Sequence, residues 1–301
     1  MKSIEIMKKA QQGKYAVGQF NVSTDEQIKA IVEVARDLKS PVIIGTSESE
    51  REFIGVNQVV ALVETWQKET GLPIILNADH CKSFDSVREV IEAGYSAVHI
   101  DGSGLPFEEI IELTKKVVDY VKAINPSILV EGELGYLRGS SEIHKEKTEI
   151  KEEDLTKPEE AREFVEKTGV DTLAIAIGNI HGIEAGMENP PLYLDRLKGI
   201  RRTVPDTFLV LHGGSGTSDE DIREAIGSGV VKININTELR IAYIKELEEE
   251  LREHPEEIRP YKILSPAVEA MKKVIEEKID LFGSIGKITT TVPPTTLKGK
   301  F

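Results

Sequence analysis

A chain of 301 residues with 38 Lys+Arg against 52 Asp+Glu carries a formal net charge of −14, and 40% of its residues are hydrophobic. That balance supports a large buried core and excludes disorder and collagen-like repetition. The acidic surface argues against nucleic-acid binding and against a polybasic membrane contact, since both need cationic surface.

Short β-rich apolar runs alternate with amphipathic helical stretches along the chain. The expected strands are residues 16–21, 41–46, 73–78, 97–101, 127–132, 171–177, 207–212 and 229–234. Between them lie helical patterns at 24–38, 55–70, 83–93, 107–123, 158–168, 192–203 and 218–227, and Thr24-Asp25, Ser83 and Ser218-Asp219 supply N-terminal cap signals. Near-continuous apolar strands in strict alternation with helices predict a closed parallel (β/α)8 barrel of the α/β class, spanning residues 1–301 as one domain. An open doubly wound sheet is the alternative, weakened because no glycine-rich dinucleotide fingerprint follows the first strand. Beyond the eighth strand, residues 239–301 read as extra C-terminal helices (239–254 and 265–282) and a tail. The polar segment 137–156 breaks the rhythm after strand five and reads as an active-site loop, because long loops in compact barrels are commonly lids.

The single cysteine, Cys81, excludes an intramolecular disulfide and fits a reducing compartment. The start Met1-Lys2-Ser3-Ile4-Glu5-Ile6 lacks a signal-peptide core, and no stretch approaches the ~20 apolar residues of a membrane span, so a cytoplasmic protein is expected.

In such a barrel the reacting groups sit where strands end. Strand three ends in Asn77-Ala78-Asp79-His80, strand four in Asp101-Gly102-Ser103 and strand five in Glu131-Gly132-Glu133. Strand six runs into Asn179-Ile180-His181-Gly182, strand seven into His212-Gly213-Gly214-Ser215-Gly216, and strand eight into Asn234-Ile235-Asn236-Thr237. His80, His181 and His212 thus lie at three strand ends. Three neutral imidazoles around an open position suit a catalytic zinc ion that polarises a carbonyl. Taken singly each histidine is more often structural, and His99, His144 and His254 are read that way, as structural or solvated. Asp79 can face a substrate while its neighbour faces the metal, which suits an acid/base group. Asp101 and Glu133 read as a second cation position or as partners orienting the imidazoles. The glycine-rich turn after His212, followed by Thr217-Ser218-Asp219 opening a helix, reads as a phosphate cradle.

At these motifs the sequence resembles the class II, metal-dependent fructose-bisphosphate aldolases, including the tagatose-bisphosphate aldolases. The matching pieces also include Phe20-Asn21, Gly45-Thr46-Ser47-Glu48, Ile100-Asp101-Gly102-Ser103 and Val130-Glu131-Gly132-Glu133, and they run in order over almost the whole chain. The resemblance implies a (β/α)8 fold and reversible cleavage of fructose 1,6-bisphosphate into dihydroxyacetone phosphate and glyceraldehyde 3-phosphate, a step of glycolysis and gluconeogenesis. It implies that His80, His181 and His212 bind one catalytic zinc, that Glu133 with Asp101 lines a second metal position, and that a monovalent cation takes part. By the same resemblance Asp79 moves the proton of the hydroxyl at the cleaved carbon, and Glu142 is the loop acid/base. Gly182, Gly213, Ser215, Asn234 and Thr237 would hold one phosphate, and Asn21 and Asn236 would contact substrate. Ser47 and Arg240 would reach the other phosphate, Arg240 from a neighbouring subunit of a homodimer or homotetramer. Cys81 after Asp79-His80 departs from the usual pattern and would bring a thiol near the metal. Gly104 replaces a common histidine, the segment after His181 lacks the lysine some members carry, and Asn236 replaces a common aspartate, which bears on sugar identity. Three rivals stand beside this reading: a tagatose 1,6-bisphosphate aldolase, a Schiff-base aldolase using Lys232, and a non-catalytic barrel binding a phosphorylated ligand.

Overall fold

Apolar period-two runs pair only with runs whose own apolar residues match them, and here eight such runs close on themselves. A computed structural model describes residues 2–186 and 189–288. The barrel strands are β1 (Val17–Asn21), β2 (Val42–Thr46), β3 (Ile74–Cys81), β4 (Ala97–Ile100), β5 (Leu129–Leu134), β7 (Thr172–Ile175), β9 (Phe208–Leu211) and β10 (Val230–Ile235), all parallel. β1 closes the barrel against β10, with Val17 opposite Lys232 and Gln19 opposite Asn234. That closure removes the open-sheet alternative. No helix among the described residues is long and apolar enough to cross a membrane.

The outer ring contains α2 (Asp25–Asp37), α4 (Val56–Thr70), α5 (Phe84–Ala93), α6 (Phe107–Ile124), α7 (Pro158–Thr168), α8 (Leu194–Thr203) and α9 (Asp219–Gly227). Ser83 and Ser218 cap their helices as expected, accepting hydrogen bonds from Ser86 N and Asp221 N. The C-terminal pair α10 (Thr237–Glu253) and α11 (Pro260–Leu281) is less of an appendage than the sequence suggests. α11 buries Met271, Ile275 and Ile279 and packs on α2, so it fills the eighth place in the ring, whereas α10 buries only Thr237 and Leu239. The tail expected beyond residue 288 lies outside the described residues.

Two helices are absent from the sequence-based expectation. α1 (Ser3–Gly13) places Ile6, Met7 and Ala10 on one face. These pack with the strand residues Val17, Ile43, Ile75, Ala97, Leu129, Phe208 and Val231, plugging the amino-terminal end of the barrel. α3 (Glu48–Ile54) starts at Ser47 with a capping box completed by Glu50, a Ser-x-x-Glu signal present in the sequence. The segment 137–156 is also more regular than a loop. Its strand β6 (Gly139–His144) pairs in parallel with β8 (His181–Glu184), and Arg138 grips Asp154 through two hydrogen bonds of 2.6 and 2.9 Å. The segment therefore forms a small second sheet built onto the residue after Ile180, which is His181.

Between barrel and ring, Phe164 of α7 is fully buried where a Cβ on Gly132 of β5 would sit 2.7 Å from its ring. The close approach leaves no room for collapse around a smaller residue. Phe164→Ala should lower the unfolding free energy by about 3–5 kcal/mol, measured by urea denaturation of the purified protein.

Candidate active site

The carboxyl ends of the strands enclose a cavity of about 220 Å3. Asp79, His80, His181, His212, Asn21, Ser47, Gly182, Gly213, Ser215, Asn234, Asn236, Thr237 and Arg240 all line it. Residues from six strand ends, far apart in sequence, thus meet at one mouth, as the barrel geometry requires.

The imidazole rings of His80, His181 and His212 gather with centroids 4.9 to 6.3 Å apart. His80 Nδ1 lies 2.7 Å from Asp101 Oδ2, and His212 Nε2 lies 2.7 Å from Glu131 Oε1. A carboxylate only accepts, so these nitrogens carry the protons and the opposite nitrogens keep bare lone pairs. Those two bare nitrogens, His80 Nε2 and His212 Nδ1, face each other at 3.2 Å. With both rings neutral these lone pairs repel unless a proton or a metal cation sits between them. Two nitrogens at ~2.05 Å from a tetrahedral zinc are separated by about 3.3 Å, so these two donors fit the ion. Asp79 and His99 each also bring a ligand atom within 4.8 Å of them, whereas the His181 ring stands at the edge of the group, its centroid 5.1 Å from His80 and 6.3 Å from His212. His181 is neutral down to low pH because burial, and then the charge of His80, lowers its pKa to about 4. Burial also lowers His212, whereas in His80 burial is outweighed by Asp79 and the bond to Asp101, which raise its pKa.

His80 pays for its place with backbone strain: its φ is +49°, in the left-handed region a β-strand residue rarely enters. The irregularity in the β3–β4 register falls at the same point. The kink turns His80 to the rim and sends Cys81 into the core between barrel and helices. Cys81 is fully buried, its Sγ accepts from Arg51 Nη2 at 3.5 Å, and burial raises its thiol to about 11. The expected thiol beside the metal is therefore absent from the cavity lining.

Asp79 accepts from Asn21 Nδ2 at 3.0 Å and from Asn234 Nδ2 at 3.4 Å. Burial favours its neutral form, but the charges of His80 and His212 and its contacts with His99 hold the carboxyl well below its ordinary range. It is an ionised acceptor at neutral pH. Asp101 backs His80 and is itself bonded by Lys82 Nζ; Glu131 backs His212 and is bonded by Lys232 Nζ at 2.7 Å. Lys232 is thus a buried ion-pair partner beneath the cavity, which counts against a Schiff-base role. Glu133 Oε2 is buried without a hydrogen-bond partner among the described residues, and its carboxylate groups with His80 and Asp101 within 4.8 Å. That orphaned oxygen suits a second cation position.

The phosphate cradle differs in one respect from expectation. Gly213, Ser215, Gly182, Asn234 and Thr237 line the cavity together, and Gly213 (φ +63°) has no space for a side chain, since a Cβ would lie 1.9 Å from Ile180 O. The helix that starts there is α10, through Asn236 and Thr237; α9 uses Ser218 to cap itself and does not open onto the cavity. Gly216 N–H is already taken by Glu238 Oε1 at 2.8 Å.

Glu142 is the one expected catalytic residue outside the cavity. On β6 its neighbour Ser141 takes the inward place, and Glu142 is exposed. Arg240, expected from a neighbouring subunit, lines the cavity of its own chain. His99, read as structural or solvated, is fully buried in the cluster: Nδ1 accepts from His80 N–H at 3.2 Å, and Nε2 lies 3.1 Å from Glu133 Oε2. Glu50, Ser49, Ser141 and Glu131 were also missed as site residues. For His99 and Glu131 a signal existed: each precedes a rim carboxylate by two residues, so both point into the barrel.

The profile of the family described as fructose-bisphosphate aldolase class-II matches residues 1–287. The chain is 38% identical over 307 residues to the fructose-bisphosphate aldolase of Thermus caldophilus, across 94% of this chain and 98% of that protein. Among solved structures it is similar to the YdjI aldolase of Escherichia coli K12, with 32% identity, a TM-score of 0.81 and coverage of 96% and 99% of the two chains. The fold is also shared with a fructose-bisphosphate aldolase of Campylobacter jejuni, at 24% identity, TM-score 0.78 and coverage of 94% and 95%.

Removing a carboxylate behind a ligand should loosen the metal without abolishing the fold. Asp101→Asn and Glu131→Gln should each weaken zinc binding by about 10–100-fold in competition with a chelator. Zinc affinity should also fall as the pH drops from neutral, because protons compete for the imidazoles. His80, with its raised pKa, protonates first, and His181 stays neutral to about 4. The same chelator titration run across pH checks the order, with His181→Ala and His80→Ala as comparisons.

Proposed function

Because the chain belongs to the class II fructose-bisphosphate aldolase family, we propose that it catalyses the reversible cleavage of fructose 1,6-bisphosphate to dihydroxyacetone phosphate and glyceraldehyde 3-phosphate with zinc at His80, His181 and His212. The observation that carries the metal assignment is the 3.2 Å approach of His80 Nε2 and His212 Nδ1, each ring anchored behind by a carboxylate. Zinc, when bound, would polarise the substrate ketone and stabilise the negative charge that bond cleavage leaves behind.

The chain's own residues do the remainder. Gly182, Gly213, Ser215, Asn234 and Thr237 hold the phosphate of the dihydroxyacetone half at the amino-terminal end of α10, where backbone N–H groups favour an anion. Asp79, held in place by Asn21 and Asn234, accepts the C4 hydroxyl proton as the C3–C4 bond breaks. C4 becomes the aldehyde carbon and the electron pair stays with C3. Glu142, exposed on β6 at the rim, is the acid that returns a proton to C3. Ser47 and Arg240 face the far end of the substrate. A lone buried cysteine supports a cytoplasmic setting. The exposed apolar side chains Ile244, Leu251, Ile258 and Tyr261 on and beside α10 and α11 support a homo-oligomer.

Metal analysis together with cleavage rates on fructose and tagatose 1,6-bisphosphates tests the reading. His212→Ala should lose bound zinc and at least ~10³-fold of activity. Asp79→Asn should keep its zinc and lose about 10²–10⁴-fold in kcat. Unchanged turnover in His212→Ala, or borohydride trapping of substrate on Lys232, would refute the zinc mechanism.

A further inference from the structure

At the far side of the cavity Arg240, the one Lys or Arg lining the wall among the described residues, is already engaged by a buried acid. Glu50 is 5% exposed, and its Oε1 lies 2.6 Å from Arg240 Nη2. Every acceptor position on this carboxylate is used. Oε1 also accepts from Asn236 Nδ2 at 3.4 Å, and Oε2 accepts from Asn21 Nδ2 at 3.0 Å and from Ser47 N–H at 2.7 Å. Arg240 Nη1 donates to Ser141 O at 3.3 Å, so the guanidinium is held from two sides. The remaining groups facing this end are hydroxyls: Ser47 and Ser49 both line the cavity, with their oxygens 3.5 Å apart.

This arrangement is poorly matched to a phosphate dianion. A phosphate at Arg240 has to share the guanidinium with Glu50 and accept a buried like charge close by. An alcohol has no such conflict, and it can exchange hydrogen bonds with the Ser47 and Ser49 hydroxyls that line this end. We propose that Glu50 is a specificity-determining residue that weakens the hold on a phosphate at the far side of the cavity, so that beside fructose 1,6-bisphosphate the enzyme cleaves and forms ketose 1-phosphates whose aldehyde half carries no phosphate. The proposal rests on the aldolase reading above and widens its substrate class.

Glu50 also completes the capping box of α3, and a purely structural role would end there. Glutamine serves that box equally well, so Glu50→Gln removes the charge while keeping the cap. The test uses the zinc-loaded full chain and the condensation of dihydroxyacetone phosphate with glyceraldehyde or with glyceraldehyde 3-phosphate. The native enzyme should use the two aldehydes with kcat/KM values within about tenfold of each other, since the phosphate gains little at a neutralised arginine. Glu50→Gln should shift the ratio towards glyceraldehyde 3-phosphate by about tenfold or more, mainly through its KM, because a repulsive element has been removed. A native preference for the phosphorylated aldehyde above about tenfold overturns the proposal, whatever the variant does. An unmoved ratio in an active Glu50→Gln variant overturns it equally, with the aldolase reading left standing. Absence of condensation with either aldehyde in the native zinc-loaded enzyme sinks both.

Discussion

The site depends on burying carboxylates where water cannot reach them. Asp79, Glu131 and Glu133 are each at least 96% buried inside the barrel, and an unpaired carboxylate in such a place costs several kcal/mol. Glu131 is met by Lys232 and His212 and Asp79 by the amides of Asn21 and Asn234, whereas Glu133 Oε2 has His99 Nε2 at 3.1 Å without an aligned hydrogen bond. The partners are shared, so the network fixes the imidazoles in orientation and protonation together. His80 and His212 are left with bare nitrogens aimed at one point. A cation there would complete the charge balance that the acids begin.

The barrel interior is layered to make this possible. Its amino-terminal end is apolar and plugged by α1, through Ile6, Met7 and Ala10. Above it, Gln19, Asn77, Glu131 and Lys232 form a polar middle layer, with Asn77 donating to Gln19 at 2.9 Å. The reacting groups occupy the layer above. The plug and the parallel register keep water from the floor, so the acids and imidazoles interact in a medium where each contact is stronger than in water. The same ladder sets Asn21 opposite Gly45, Gly45 opposite Asn77 and Gln19 opposite Asn234, and Asp79, two residues past Asn77, reaches the amides of both Asn21 and Asn234.

Function also draws on positions that cost stability. His80 holds a left-handed backbone at the carboxyl end of β3, and Gly213 is the residue whose lack of a side chain lets the loop after β9 press against Ile180 O. At the far side, Glu50 joins a helix cap to the substrate cavity.

Much of this was legible in the amino-acid sequence. All eight barrel strands and, apart from α3, the helices between them follow from apolar periodicity, and the polar residues at strand ends locate the mouth, since alternation of side chains along a strand is a local property. The same period two marks Gln19 and Asn21, His99 and Asp101, and Glu131 and Glu133 as inward pairs, although only the rim members were read as functional. Other features depend on distances between segments far apart in the chain. Which nitrogen of His80 is bare depends on Asp101, whether Cys81 or His80 faces the metal depends on a kink in β3, and the partner of Arg240 depends on how α3 meets α10. Local sequence therefore determined the elements, the barrel and the identity of the reactive groups. Only the tertiary structure decided their protonation, orientation and pairing, because hydrogen bonds and charge interactions act over a few ångströms of space between residues that sequence spacing leaves unrelated.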